Sequence, residues 1–321
     1  MQKIIIFLLL IIYSCDYKQE SIGAANQIII ISSPEDKVHI ENIVDDCFYE
    51  YINTPQEEQI YRIKYIKPWE FDSFNNYSNI LIISLDRPND NTGDLLYNKF
   101  MQNYESNSDI FFIENLYVNN QIIGIINSED KDNLKNIFKK HSIWIKSNVN
   151  KNIENKIIND LYKYKSNDAI ENQINYLFGS TFKVQEDYKI IKSDSLKNFI
   201  WIGRGHPYRW IVLFKSKKSN YMKNNQWNNL IKDYKAYLSD ITISEHYRVD
   251  EYDDNNNLRK MRGLYEHEES DSGGPFFVYI FESDSTNEVI LVSGFVNYPG
   301  GNKYLLLKQL DMIISSLNER S

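Results

Sequence analysis

Glycine is scarce in this chain, at 12 of 321 residues, and cysteine scarcer still, at two. So little glycine argues against an architecture of glycine-rich β-barrels, and two cysteines leave no room for a disulfide framework. Positive charge is short as well. Against 44 Asp and Glu stand 36 Lys and Arg, giving a net charge of −8 and a pI near 5.3. Phosphate-backbone binders show clustered Lys and Arg, so nucleic acid is not an expected partner. The 24 tyrosines do not restore it, because they accompany a general richness in Ile, Asn and Lys. Beyond the first residues, no apolar run approaches the roughly 20 residues that a membrane-spanning helix needs.

The exception stands at the very start, in "MQKIIIFLLLIIYSC". Lys3 precedes an apolar run from Ile4 to Tyr13, which has the length of a signal-peptide core. The letters "IYSC" resemble the lipobox of bacterial lipoproteins in Ile12, Ser14 and Cys15. The resemblance implies that residues 1–14 are a removed signal peptide and that Cys15 carries a diacylglycerol and an acylated amino terminus. Each buried methylene contributes about 0.8 kcal/mol and stable anchoring needs more than one chain, a condition that a triacylated cysteine meets. Residues 15–25 then read as a polar tether. The expected location is the cell membrane or the outer membrane, exposed to the envelope, with membrane lipid as a partner through Cys15. Cys47 is thereby left with no disulfide partner in the chain. It recurs with Ile40, Ile43, Val44, Phe48 and Tyr51 at helical spacing, beside Asp45, Asp46 and Glu50, and so reads as core instead of nucleophile.

The remaining length suits two domains, 26–163 and 164–321. In the first, "QIIII" (27–31) and "NILIISL" (79–85) are strands buried on both faces, and "YRIKYI" (61–66) alternates like a half-exposed one. Ser33 is the expected cap of a helix with Pro34 at its first position, and Ser128 that of a helix burying Leu134, Ile137 and Phe138. Residues 151–165 form a separate helical stretch. Another helix begins at Ser166 or Asn167, buries Ile170, Ile174, Leu177 and Phe178, and ends at Gly179. The second domain reads as a hairpin around "GRGHP", a helix burying Trp227, Leu230, Ile231, Tyr234 and Leu238, and three antiparallel strands with turns at 269–274 and 284–287. A last helix, capped by Asn302, buries Leu306, Leu310, Ile313 and Leu317. The expected fold class is therefore α/β and α+β: two-layer mixed sheets packed with helices, the C-terminal half an antiparallel meander closed by a C-terminal helix.

Three places draw chemical attention. "DSGGP" spells the nucleophile segment of trypsin-type proteases and would make Ser272 catalytic. A serine needs an adjacent base and oxyanion donors, and none of the five histidine segments ("KVHIE", "KKHSI", "GRGHPY", "SEHYR", "YEHEE") resembles the one that family requires. A turn between strands is the expected reading, since a glycine pair tolerates positive φ and proline stops a ladder hydrogen bond. "EHEE" (266–269), with His246 and Asp271, offers metal-ligand types, but on a strand His267 points away from Glu266 and Glu268, so a solvated hairpin is expected and no metal. "GRGHPYR" gathers Arg204, His206 and Arg209 into one loop, a candidate anion-binding site because Arg suits bidentate contact.

The stretch from Met261 to Leu317 resembles the C-terminal signature of a bacterial lipoprotein family, domain of unknown function 4837. The matching residues are Arg262, Gly263, Leu264 and Tyr265; Gly273, Gly274, Pro275 and Phe276; and Gly294, Phe295, Val296 and Pro299. Tyr265 stands where that family usually has tryptophan, and its pattern has no serine at the position of Ser272. The resemblance is read as extending over nearly all of the mature chain, and it brings no known activity and no cofactor. The expected function is a lipid-anchored envelope protein with a non-catalytic binding or structural role toward an envelope protein partner. The alternative is an envelope hydrolase that uses the Ser272 turn and the Arg204/His206 loop.

Overall fold

The computed structural model describes residues 18–85, 96, 98–102, 110–221, 225–253, 258–268, 272–282 and 287–317. The lipobox with Cys15, and the turn residues Glu269, Ser270 and Asp271, lie outside the described residues. Two compact units form. One takes the chain up to Tyr49 together with Tyr61–Lys156, the other Glu50–Ile60 together with the chain from Ile157 onward.

The first unit is built on β1 (Gln27–Ile31), β4 (Arg62–Ile66), β5 (Asn79–Leu85), β6 (Ile110–Glu114) and β7 (Ile122–Ser128), in the order β4-β1-β5-β7-β6. The first four strands of that order run parallel and β6 antiparallel. Continuous apolar runs produce strands covered on both faces: every residue of β5 is buried, whereas the edge strand β4 alternates. Ile29, Ile31, Ile80, Ile82, Ile123 and Ile125 share one face and pack against Phe71 and Phe100.

Helix α1 (Lys37–Phe48) carries the buried stripe Ile40, Ile43, Val44, Cys47 and Phe48, as its spacing dictates, whereas Tyr51, expected on the same stripe, lies beyond the helix in an extended segment and is exposed. It starts later than expected. The amides of Asp36 and Lys37 donate to the Ser33 carbonyl, both at 3.1 Å, so Ser33 and Pro34 belong to a turn before the helix. The Ser33 hydroxyl is buried without a hydrogen-bond partner and caps nothing. Ser128 is likewise not a cap. Its hydroxyl donates to the Asp130 carbonyl, and the Asp130 carboxylate accepts the amides of Asp132 and Asn133 at 2.8 Å each. The two helices expected after it are one, α2 (Lys131–Tyr162), whose 32 residues contain neither glycine nor proline. Asn152 enters the core on α2 because its amide donates to the Ser78 carbonyl at 3.0 Å and to Asn79 Oδ1 at 2.9 Å.

The second unit contains α3 (Asp168–Phe178). Asn167 caps it, accepting from the Ile170 amide, and Gly179 ends it at φ +75°. The sheet follows: β8 (Lys189–Asp194), β9 (Phe199–Arg204), β10 (Tyr208–Lys217), β11 (Ile241–Ile243), β12 (Val249–Asp253), β13 (Leu258–His267), β14 (Ser272–Glu282) and β15 (Glu288–Asn297). Its order is β11-β13-β14-β15-β10-β9-β8, antiparallel throughout, with β12 also paired to β13. Helix α4 (Gln226–Tyr237) lays Leu230 and Tyr234 on one face, against Met261, Tyr265, Phe276, Val278 and Phe295. The alternation of a strand sends Lys260, Arg262, Phe277 and Tyr279 to the other face, where α5 (Tyr304–Ser315) packs. Gly294 permits that packing, since a Cβ there would stand 2.8 Å from the Phe277 ring and 3.2 Å from Ile314. On α5 the buried residues are Leu307, Leu310, Ile313 and Ile314; Leu306, expected inward, is only half-buried.

A hairpin from far upstream completes this unit: β2 (Tyr51–Asn53) and β3 (Glu57–Gln59), paired antiparallel. Glu58 accepts the amides of Lys303 and Tyr304 at 2.5 and 3.2 Å and pairs with the Lys303 ammonium at 3.1 Å. A carboxylate from the hairpin, and not Asn302, therefore satisfies the start of α5.

Candidate functional site

The family-type residues of β13 and β14 come together. Arg262, Gly263, Pro275 and Phe276 all line a cavity of about 310 Å³ in the second unit, with Tyr51 and Ile52 of β2, Tyr247, Lys260, and Tyr304, Lys308 and Asp311 of α5. Each wall has a local cause. Lys260 and Arg262 are two apart on one strand and so share a face, directly across from Tyr279 and Phe277. The Lys260 ammonium lies 4.7 Å from the Phe277 ring centre and 4.9 Å from that of Tyr279, and it pairs with the Asp311 carboxylate, which also accepts from the Tyr279 hydroxyl at 2.6 Å. Arg262 pairs with Glu251 on the neighbouring β12. Gly263 brings the sheet close to the far-side aromatics, since a Cβ would meet Phe276 at 2.9 Å.

Phe295 and Gly294 stand behind this wall. Phe276 and Phe295 stack at 5.4 Å between ring centres, with planes 17° apart, on the face covered by α4. Gly273 and Gly274 correct the reading of "SDSGGP" as a turn. Both are strand residues, paired with Glu266 and Tyr265, and neither has positive φ. They are glycines for space: a Cβ on Gly273 would stand 2.4 Å from the Tyr265 carbonyl oxygen, and one on Gly274 would stand 2.0 Å from that of Val296. Pro275 follows where the pairing of β14 with β15 ends, at Phe276, a place where its missing N–H breaks no ladder bond to β15.

Ser272 begins β14 directly across from His267. The two sit in an open cleft of about 790 Å³ with Thr242, Glu266, Glu268 and Lys303. Nδ1 of His267 is buried and has no hydrogen-bond partner, and Glu268 accepts from Thr242 at 2.6 Å. Among the described residues no three His, Cys, Asp or Glu side chains gather as a metal site.

Of the loop residues, Arg204 and Arg209 face each other across the β9–β10 ladder. Arg204 pairs with Asp187, donates to Gln185 and lies 5.7 Å from the Tyr188 ring centre. Arg209 is buried and donates to Gln309 at 2.5 Å. Burial lowers the pKa of its guanidinium, and it pushes the Tyr188 hydroxyl up to about 12. His206 stands exposed at the hairpin tip, against the rings of Tyr208 and Tyr298. The structure thus brings the two arginines together around Tyr188 and holds His206 on other partners.

Sequence reasoning missed the hairpin 51–59, Lys260, Lys308 and Asp311 as parts of one site. The alternation of Lys260 and Arg262 was a visible signal for a shared face; the hairpin had none, because it reaches the cavity only by tertiary contact.

Comparison with family models matches residues 166–316 to a domain of unknown function, DUF4837, and residues 21–162 to a second, DUF8532. The DUF4837 match is thus narrower than the nearly chain-long resemblance read from the sequence, and the N-terminal part matches a different family model. No curated protein matches the chain.

Proposed function

We propose that this chain, which carries a DUF4837 domain behind a DUF8532 domain, is a lipid-anchored protein of the cell envelope whose C-terminal domain binds a ligand without turning it over. One observation carries the binding role: the four residues Arg262, Gly263, Pro275 and Phe276, on which the resemblance to the family pattern rests, line a single cavity together with cations and rings. Interiors are close-packed, so a void with this lining is a departure that a bound ligand would explain. The anchor rests on Ile12, Ser14 and Cys15, and among the described residues no helix is long and apolar enough to cross a membrane.

Fractionation tests the anchor. The wild-type protein sediments with membranes, and Cys15→Ala moves it to the soluble fraction; a variant that still sediments counts against the proposal. For the binding role, protein purified under native conditions retains a molecule that denaturation releases unchanged, as detected by mass spectrometry.

A second reading, the envelope hydrolase, has one observation in its favour: Ser272 faces His267 across the ladder, beside an open cleft. The glycines after Ser272 run extended in that ladder instead of forming the turn that presents amides to an oxyanion. A fluorophosphonate probe decides between the two. Labelling of wild type but not of Ser272→Ala selects the hydrolase.

A further inference from the structure

We propose that the cavity between the β13–β14 face, β2 and α5 takes a small aromatic carboxylate, an inference that rests on the binding role above and names its ligand class. The first support is charge. The lining carries Lys260, Arg262 and Lys308; Asp311 in the lining pairs with Lys260 and Glu251 beside it pairs with Arg262, so these cations outnumber the carboxylates three to two in an otherwise acidic protein. A concave site with this sign concentrates anions.

The second support is the donor inventory of Arg262. A guanidinium has five N–H donors, and among the described residues the Glu251 carboxylate, at Nη2, is its only acceptor. Nε is buried with no partner, and the side chain as a whole is 36% exposed. The Nη1 side of the fork therefore has hydrogen bonds to give, and a carboxylate matches that geometry.

The third support is backbone strain at the cavity wall. Tyr247 is held at φ +61° while 52% exposed, and it lines the cavity. A bulky residue in the left-handed region is an outlier, and such outliers cluster at functional places such as ligand clamps. With Tyr51, Phe277 and Tyr304 it supplies ring faces and edges for a planar body. A volume of about 310 Å³ falls at the small end of the roughly 300–1,000 Å³ range of small-molecule sites, which suits an acid of one or two rings better than a long acyl chain.

Calorimetric titration of the full chain with 2-naphthoate, 2-naphthamide and inorganic phosphate tests the assignment. The expected result is one-to-one binding of naphthoate, with naphthamide at least tenfold weaker and phosphate silent. Arg262→Gln then weakens naphthoate tenfold or more and leaves naphthamide unchanged. Tyr247→Gly weakens both without lowering the thermal midpoint, and so keeps the test alive should the Arg262 variant fail to fold. Equal affinity for acid and amide, or naphthoate binding indifferent to Arg262→Gln, overturns the ligand class and leaves the binding role standing. Saturable binding of phosphate alone overturns the aromatic carboxylate in favour of a phosphate head. If no probe binds while native protein still releases a retained molecule on denaturation, only the ligand class fails; if nothing is retained either, the binding role fails with it.

Discussion

Tyr188 and Gly274 show how single atoms constrain this protein. The Tyr188 hydroxyl is buried with no hydrogen-bond partner, in a ring environment that also packs Arg204. An unsatisfied buried hydroxyl costs more than a buried ring edge, so Tyr188→Phe raises stability by about 1 kcal/mol, measured by urea unfolding. Gly274 has the opposite character. A methyl group there collides with the Val296 carbonyl, whereas one on Gly205 meets nothing within 4 Å. Gly274→Ala therefore destabilises by about 3 kcal/mol, while Gly205→Ala stays within about 0.5 kcal/mol of wild type; comparable losses at both sites would refute the account of the glycine pair. The motif letters were legible in the sequence. Their reason was not, because a close approach to Val296 involves a strand more than twenty residues away.

Among the elements, the β2–β3 hairpin is joined to the start of α5 through the Glu58 side chain. Glu58 both satisfies the first amides of α5 and neutralises Lys303, and the two side chains are only 10% and 8% exposed. Removing one partner leaves a buried, uncompensated charge. Glu58→Gln keeps an acceptor for the amides and loses the charge, so the expected cost is about 3 kcal/mol. Adding Lys303→Met to that variant recovers part of the loss, and the double-mutant cycle reads the coupling directly. Additive effects would show that the pair does not hold the hairpin. The helices themselves divide along the same line. The limits of α3 were readable, because Asn167 and Gly179 act within the helix they bound. Those of α1, α2 and α5 were not, because Ser33, Ser128 and Asn302 are suitable caps by type while the amides they would serve bond elsewhere.

At the scale of the whole molecule, burial sets the ionisation of several tyrosines. Burial raises the hydroxyl pKa of Tyr65, Tyr188, Tyr221, Tyr234, Tyr237 and Tyr265, with neighbouring Asp45 and Asp233 adding to Tyr65 and Tyr221. Tyr188, at about 12 when folded, ionises near 10.0 once unfolded. Below pH 10 both states hold the proton and stability is full. Between pH 10 and 12 the unfolded chain releases protons that the folded one keeps, so stability falls as the pH rises. Alkaline titration followed by tyrosinate absorbance and circular dichroism should show ionisation and unfolding together in that window; smooth ionisation of all tyrosines near 10 with the fold intact would contradict it.

Local information determined what local physics controls. The unbroken runs 27–31 and 79–85 had to be doubly covered strands, the spacing around Cys47 had to be a helix face, and the alternating C-terminal runs had to be an antiparallel meander. Tertiary structure decided the rest. It drew Glu50–Ile60 into the second unit, made strand residues of a Gly-Gly pair that reads as a turn, and set Arg262, Lys260, Tyr247 and α5 around one void. The physical reason is range: hydrophobic period and cap chemistry act over a few residues, whereas steric room and charge pairing depend on which distant segment arrives, and that is fixed only when the chain has packed.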